Sequence, residues 1–408
     1  MANKKILNKK VGQVHVVGLS SYTRPEVKEV YNRDWISYGD DNNYFQYLID
    51  RYNGSPTNNA AINGIAEMIY GKGLDAVESK EKASEYEEMK SLLTKKVIKK
   101  ICYDYKMMGQ AAIQVIYSKD RKKIAQIEHI PVETLRAEKC DENGDITGYY
   151  YSNDWSKTKT KEQLIRIPSF GFSKEAIEIL YIKPYRAGFY YYSPVDYQGG
   201  LQYAELEEEI ANYHINNIQN GLAPSMLINF NNGIPTEEQR DEIEHSIQEK
   251  FSGSSNAGKF ILAFNDSKEL SATIEPVILS DAHQQYQFLS DESMKKVMVS
   301  HRIVSPMLVG IKDSSGLGNN AEELETASIL MDNTVIRPMQ LTILDELEKI
   351  LQYNGIDLEI YFKTLQPLEF TDLTNAITDA EIEKETGIKK DSEGDTEEVI
   401  DEQKEITE

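Results

Sequence analysis

The sequence predicts an α+β fold, and three observations carry that prediction. Helical-period segments in the first hundred or so residues are followed by short stretches rich in β-branched residues, the order of an α+β unit rather than of alternating βαβ units. Two long helical patterns then bracket a small β-α-β-β stretch, and a late helical pattern carries one apolar stripe across a proline. No internal repeat of fixed period accompanies them.

Taken in order, residues 1–35 show no sustained periodicity and read as an N-terminal arm. NYFQYLIDRYNG and TNNAAINGIAEMIYGKG predict two helices, the second capped by Thr57, striped by Ile62, Ile65, Ala66 and Ile69, and stopped by Gly71 and Gly73. A third helix is expected over 81–108. QAAIQVIYS, IAQIEHI, GYYYS and LIRIPSF read as antiparallel strands joined by turns such as KDRKK and DENGD.

From Pro194 to Gln219 a long helical pattern offers Leu201, Leu206, Ile210, Tyr213 and Ile218 as buried positions, with Glu207, Glu208 and Glu209 as a solvated face. Then come the strand PSMLINF, a helix capped by Thr236 with Gln239 three residues on, and the strands KFILAF and SATIEPVIL. A unit of about sixty residues has a marginal core and needs neighbours. AHQQYQFLSDESMKKVMVSHRIV is the second bracketing helix. GIKDSSGLGNN follows as a polar loop with three glycines. The last helix opens with Asn320 and Glu323 as a capping box and carries Ala327, Met331, Val335, Met339, Ile343 and Leu347 past Pro338, which must kink or interrupt it.

Composition excludes several classes. No segment approaches the ~18 uninterrupted apolar residues of a membrane span, and VGQVHVVGLS is too short and interrupted for a secretory core. Two cysteines give no disulfide framework, and six scattered histidines include no close pair of metal-ligand spacing. The net charge of −22 argues against a large basic face gripping DNA. Residues 371–408 hold 14 acidic residues and 4 lysines, which leaves −12 for the remainder; the end of this tail lacks the apolar residues that would offset its ordering entropy.

GSSNAGKF at 253–260 is one residue short of a phosphate loop. Phe260 stands where a Mg²⁺-binding hydroxyl is needed, and the helix precedes the strand rather than following it, so a Gly/Ser turn is the better reading. No cofactor is expected.

The succession YYSPVDYQGG, a long helix, NGLAPSMLINF, SNAGKFILAF and HRIVSPMLVGIKDSSGLGNNAEELETASILMDNTVIRPM resembles the phage portal proteins. Their pattern is an S-P before the first helix, N-G-x-x-P into a strand, an H-R-I-x-x-P-x-L-x-G block, a glycine/asparagine-rich loop, an E-E helix start and I-x-P inside that helix. The resemblance covers about residues 40–352 and is strongest over 190–352. It implies a wing over 36–195, stem helices over 196–221 and 281–309, a clip over 222–280, a tunnel loop over 310–320, and a tunnel helix with wing over 321–352. The segment 353–408, at the crown position, ends in an acidic tail expected to be partly disordered.

The resemblance further implies a non-enzymatic dodecameric ring at one capsid vertex of the virion, assembled in the host cytoplasm. Double-stranded DNA would pass through it, driven in by a terminase large subunit and later ejected, with the major capsid protein and a head–tail adaptor or neck protein as further partners. Tunnel-loop residues Lys312, Asp313, Ser314, Ser315, Gly316, Leu317, Gly318, Asn319 and Asn320 would line the channel, with Lys295, Lys296 and Arg302 facing it from the stem. Lys250, Ser254, Ser255, Asn256 and Lys259 would make clip contacts. Two rival readings are an adaptor or tail-ring protein, and an α+β enzyme using Glu322/Glu323 or Asp281/His283. No nucleophile, metal set or phosphate loop accompanies either pair.

Overall fold

In the computed structural model the described residues are 25–30, 32–157, 164–173, 175–219, 227–230, 235–236, 238–240, 242–243, 261–264, 282–311 and 320–365. Along the chain these form β1 (Val27–Lys28), β2 (Ser37–Tyr38), α1 (Tyr44–Gly54), α2 (Pro56–Tyr70), β3 (Leu74–Ala76), α3 (Ala83–Leu92) and α4 (Lys95–Met108). Next come β4 (Ala111–Tyr117), β5 (Ile124–His129), β6 (Leu135–Ala137), β7 (Gly148–Tyr151), β8 (Ile165–Pro168), β9 (Ile177–Ile182) and α5 (Leu201–Gln219). The rest comprises β10 (Leu227–Phe230), β11 (Ile261–Phe264), α6 (Ala282–Ser300), α7 (Asn320–Met331), α8 (Arg337–Tyr353) and β12 (Ile360–Phe362).

The mixed helix-and-sheet class is as expected, and the strands of the first half pair antiparallel in the orders β5-β4-β9 and β6-β7-β8. β4 divides two cores because successive side chains leave a strand on opposite faces. Ala111, Ile113, Val115 and Tyr117 join a first core with the stripes of α2, α4 and α8; Ala112 joins a second core built on α1, β6, β7 and Tyr191 to Leu201. Glu178 on β9 is fully buried and makes no ion pair among the described residues. Its carboxylate accepts from the Tyr117 hydroxyl (2.7 Å), the amides of Gly171 and Ser173, and the Ser173 hydroxyl, which meets the requirement that a buried charge be hydrogen-bonded.

Several local expectations are corrected. The helix over 81–108 is two helices, because the chain turns at Leu93 and Thr94. α2 is capped by Ser55, whose hydroxyl accepts from the Asn58 amide, and Pro56 takes the first helical position, where its missing N–H costs nothing. The pattern from Pro194 becomes α-helical only at Leu201. Within α5, Leu201 and Ile210 are buried, Leu206 is half-buried and Tyr213 is exposed; the side chain of Ile218 lies outside the described residues. β9, β3 and β12 escaped the sequence reading. β12 pairs with β3, so the chain up to Phe362 closes on the first core through Ile356, Leu358, Ile360 and Phe362.

The stripe through Pro338 holds: Ala327, Met331, Val335, Met339, Ile343 and Leu347 are all buried. A four-residue step overshoots a helical turn by about 40°, so the six positions would wind around an unbroken α-helix. Asp332–Ile336 is π-helical, and its wider turn resets the stripe toward the core just ahead of the proline.

Candidate functional site

α5 and α6 form an antiparallel pair. Gly200, at the base of α5, lies against Val297 and Ser300 at the end of α6, and further out Tyr213 stacks on Tyr286 at 4.3 Å. A Cβ at Gly200 would collide with the Ser300 side chain, so the close approach requires glycine.

Carboxylates clamp the base of α5 to the body. Glu207 accepts from the Thr57 hydroxyl at 2.7 Å, from the Ser55 hydroxyl and from the Thr57 amide at the start of α2, where the helix dipole favours an anion. Arg51 of α1 reaches Glu205 at 3.4 Å and Glu208 at 3.1 Å. The expected solvated face therefore reduces to Glu209; periodicity could not reveal that α1 and α2 stand opposite its neighbours.

The base of α6 is fixed by a buried polar cluster. Asn58 donates its amide to the Arg51 carbonyl, so its Oδ1 is left to accept from His301 Nε2 at 2.9 Å. The His301 ring is fully buried, stacks on Tyr197 at 4.3 Å, and its Nδ1 meets no partner among the described residues. Burial first, and the nearby Lys106 charge second, hold its pKa well below the ordinary histidine value, so it is neutral. Lys106 has no exposed side-chain surface and lies 2.9 and 3.0 Å from the two oxygens of Asp196. Burial pushes its ammonium pKa down, and Asp196 opposes that push.

Of the predicted stem residues, Lys295 and Lys296 are exposed on α6 and make no ion pair among the described residues. Lys295 shares the outer face with Phe288 and Val299, which are 64% and 70% exposed. Arg302 does not join them: it lies past the end of α6 and reaches Asp196 at 3.9 Å. Thr236 and Gln239 form the predicted cap, with the Thr236 amide donating to Gln239 Oε1 at 3.2 Å, and β10 pairs with β11 in parallel. Lys250, Ser254, Ser255, Asn256 and Lys259 lie outside the described residues, as do Lys312 to Asn319 and Asp281; His283 stands in the first turn of α6, with its side chain outside the description. Asn320 starts α7, but its side chain and those of Glu322 and Glu323 are outside the description.

Sequence reading missed Lys106, Asn58 and Asp196 as a group. One signal was available: Lys106 falls four residues after Cys102 on the buried stripe of α4, where a lysine must find a partner. Among the described residues no group of three His, Cys, Asp or Glu could hold a metal, and no helix is long and apolar enough to cross a membrane.

The profile of the family described as phage portal protein matches residues 87–390. No curated protein matches the chain. Among solved structures, a chain from the neck of an empty gene transfer agent particle, computed with C6 symmetry, gives a TM-score of 0.54 at 14% identity, over 86% of this chain and 91% of its own. A chain from the virion of the native gene transfer agent particle gives 0.52 at 14% identity, over 81% and 86% respectively. One from the native particle's neck, computed with C12 symmetry, gives 0.51 at 14% identity, over 85% and 89%. At such identity the likeness is one of fold.

Proposed function

This chain belongs to the phage portal protein family, and we propose that it acts as a structural ring component at the neck of a virion, a channel for double-stranded DNA rather than an enzyme. The carrying observation is apolar surface on two different helical faces of one chain: Phe288 and Val299 on α6, and Ile329, Leu330 and Leu341 along α7 and α8. Two distinct faces suit a head-to-tail contact, which closes into a ring when the rotation between copies allows it. The C12 symmetry of one structural neighbour favours twelve copies.

In this reading the segment 310–320 is the tunnel loop and 222–280 the clip, where a terminase motor and then a neck protein dock. The acidic balance of the chain lets DNA slide, because each gripped phosphate would add a salt-dependent anchor. Lys295, Lys296 and Lys312 supply only sparse, weak guidance. Multi-angle light scattering with negative-stain microscopy tests the reading: a ring with a central hole is expected, whereas monomers or dimers at every concentration would overturn it.

A further inference from the structure

A cleft of 230 Å³ opens beside the buried lysine, between the base of the helical pair and the body; Tyr105, Arg186, Asp196, Arg302, Pro338 and Thr342 are among its lining residues. Asp196 is the one carboxylate of the lining, and Lys106 already occupies both of its oxygens. Arg302 approaches the same carboxylate only to 3.9 Å, and Arg186 is exposed and makes no ion pair among the described residues. Three cations thus share one anion in a chain whose net charge is −22. The two guanidinium groups also repel the buried Lys106 ammonium, adding to the downward pressure on its pKa. Lone-chain electrostatics disfavours the arrangement, and local conflicts of this kind mark functional positions.

The backbone supplies a second, independent sign. α6 ends with the Ile303 amide donating to the Met298 carbonyl (3.1 Å) and the Arg302 amide to the Val299 carbonyl (3.0 Å), the two bonds of a Schellman cap. Its left-handed position, φ +58°, usually belongs to glycine; here it is Arg302. Arg302 thus keeps a side chain where glycine would be less strained, and it sets the guanidinium at the wall of the cleft.

We propose that this cleft binds a phosphate-sized oxyanion between the guanidinium groups of Arg186 and Arg302. Arg186 belongs to the body segment after β9 and Arg302 to the end of α6, so the bound anion ties the helical pair to the body and removes the charge surplus around Lys106. Planar guanidinium forks suit phosphate oxygens, and the Tyr105 hydroxyl adds a donor at the wall. The site lies within one chain and stands whether or not the ring forms.

The test is isothermal titration of inorganic phosphate into the full-length protein, with chloride balancing ionic strength. Saturable binding with a Kd on the order of 1 mM or tighter is expected. Arg186→Gln and Arg302→Gly should each weaken it by about tenfold or more, and Lys122→Gln, in the turn between β4 and β5 and outside the cleft lining, should not. Glycine satisfies the left-handed cap, so Arg302→Gly loses the anion without losing thermal stability. A parallel titration with thymidine monophosphate separates sources: equal affinity assigns the cleft to phosphate esters, and exclusion assigns it to the free ion. No saturation by either probe, or equal binding in both arginine variants, would overturn the site.

Discussion

The two halves of α5 are held in different ways. From Leu201 to Ile210 the helix is locked to the body by buried Leu201 and Ala204 and by carboxylates reaching α1 and α2; from Ala211 to Ile215 every side chain is exposed. The base is held by contacts within the body, whereas the outer part, with its α6 partner, presents apolar surface that no other described residue covers. Stability and assembly are thus assigned to different stretches of the same helices, and substitutions can separate them.

The largest effect is expected at the base. Lys106→Met leaves the Asp196 carboxylate, 9% exposed, with Arg302 at 3.9 Å as its remaining cation. Breaking a buried pair costs about 3–5 kcal/mol, while replacing both members by apolar groups is often nearly neutral. Urea unfolding at pH 7.5 should therefore show a large drop in midpoint for Lys106→Met and substantial recovery in Lys106→Met/Asp196→Leu. Equal losses in the single and double variants would show that the pair is not what secures the base.

A smaller effect should follow pH. His301 is neutral when folded because its ring is buried and Lys106 lies nearby; its Nδ1 meets no partner among the described residues, and Asn58 and Tyr197 complete its surroundings. The unfolded chain binds a proton at this residue below about pH 6.5 and the folded chain does not, so stability is full above that pH and declines as pH falls toward the depressed folded value. Unfolding midpoints between pH 7.5 and 5 should decline in the parent and decline less in His301→Gln, which retains a donor for Asn58. Parallel declines would assign the pH dependence to other groups.

How far the sequence was legible follows from the same contrast. Periodic features were readable: the α2 stripe, the strands of β4 and β5, and the stripe through Pro338 each depend on spacing alone. Features that depend on which element stands opposite were not. Glu207 reads as surface until α2 is placed beside it, Lys106 reads as one of five lysines on α4, and β12 is too short to separate from a loop until β3 pairs with it. Arg302 was singled out as a channel cation, yet its left-handed backbone and its cleft emerge only from the turn that ends α6.

The smallest effect on the chain itself is expected where the comparison is sharpest, at the outer face of α6. Phe288 is 64% exposed, so Phe288→Ser removes little buried area and should change unfolding free energy by no more than about 0.5 kcal/mol. Leu347→Ala, by contrast, opens a cavity in the first core and should cost about 2–5 kcal/mol. Assembly should rank them the other way. Phe288→Ser together with Val299→Ser strips the apolar groups from one face of a head-to-tail contact, and that loss is repeated at every interface of a closed ring. The double variant should sediment as smaller species at concentrations where Leu347→Ala, if folded, still forms the parent assembly. A double variant that is both fully assembled and as stable as the parent would show that this face is ordinary solvent-exposed surface, and the contact between copies would have to be sought along α7 and α8, at Ile329, Leu330 and Leu341.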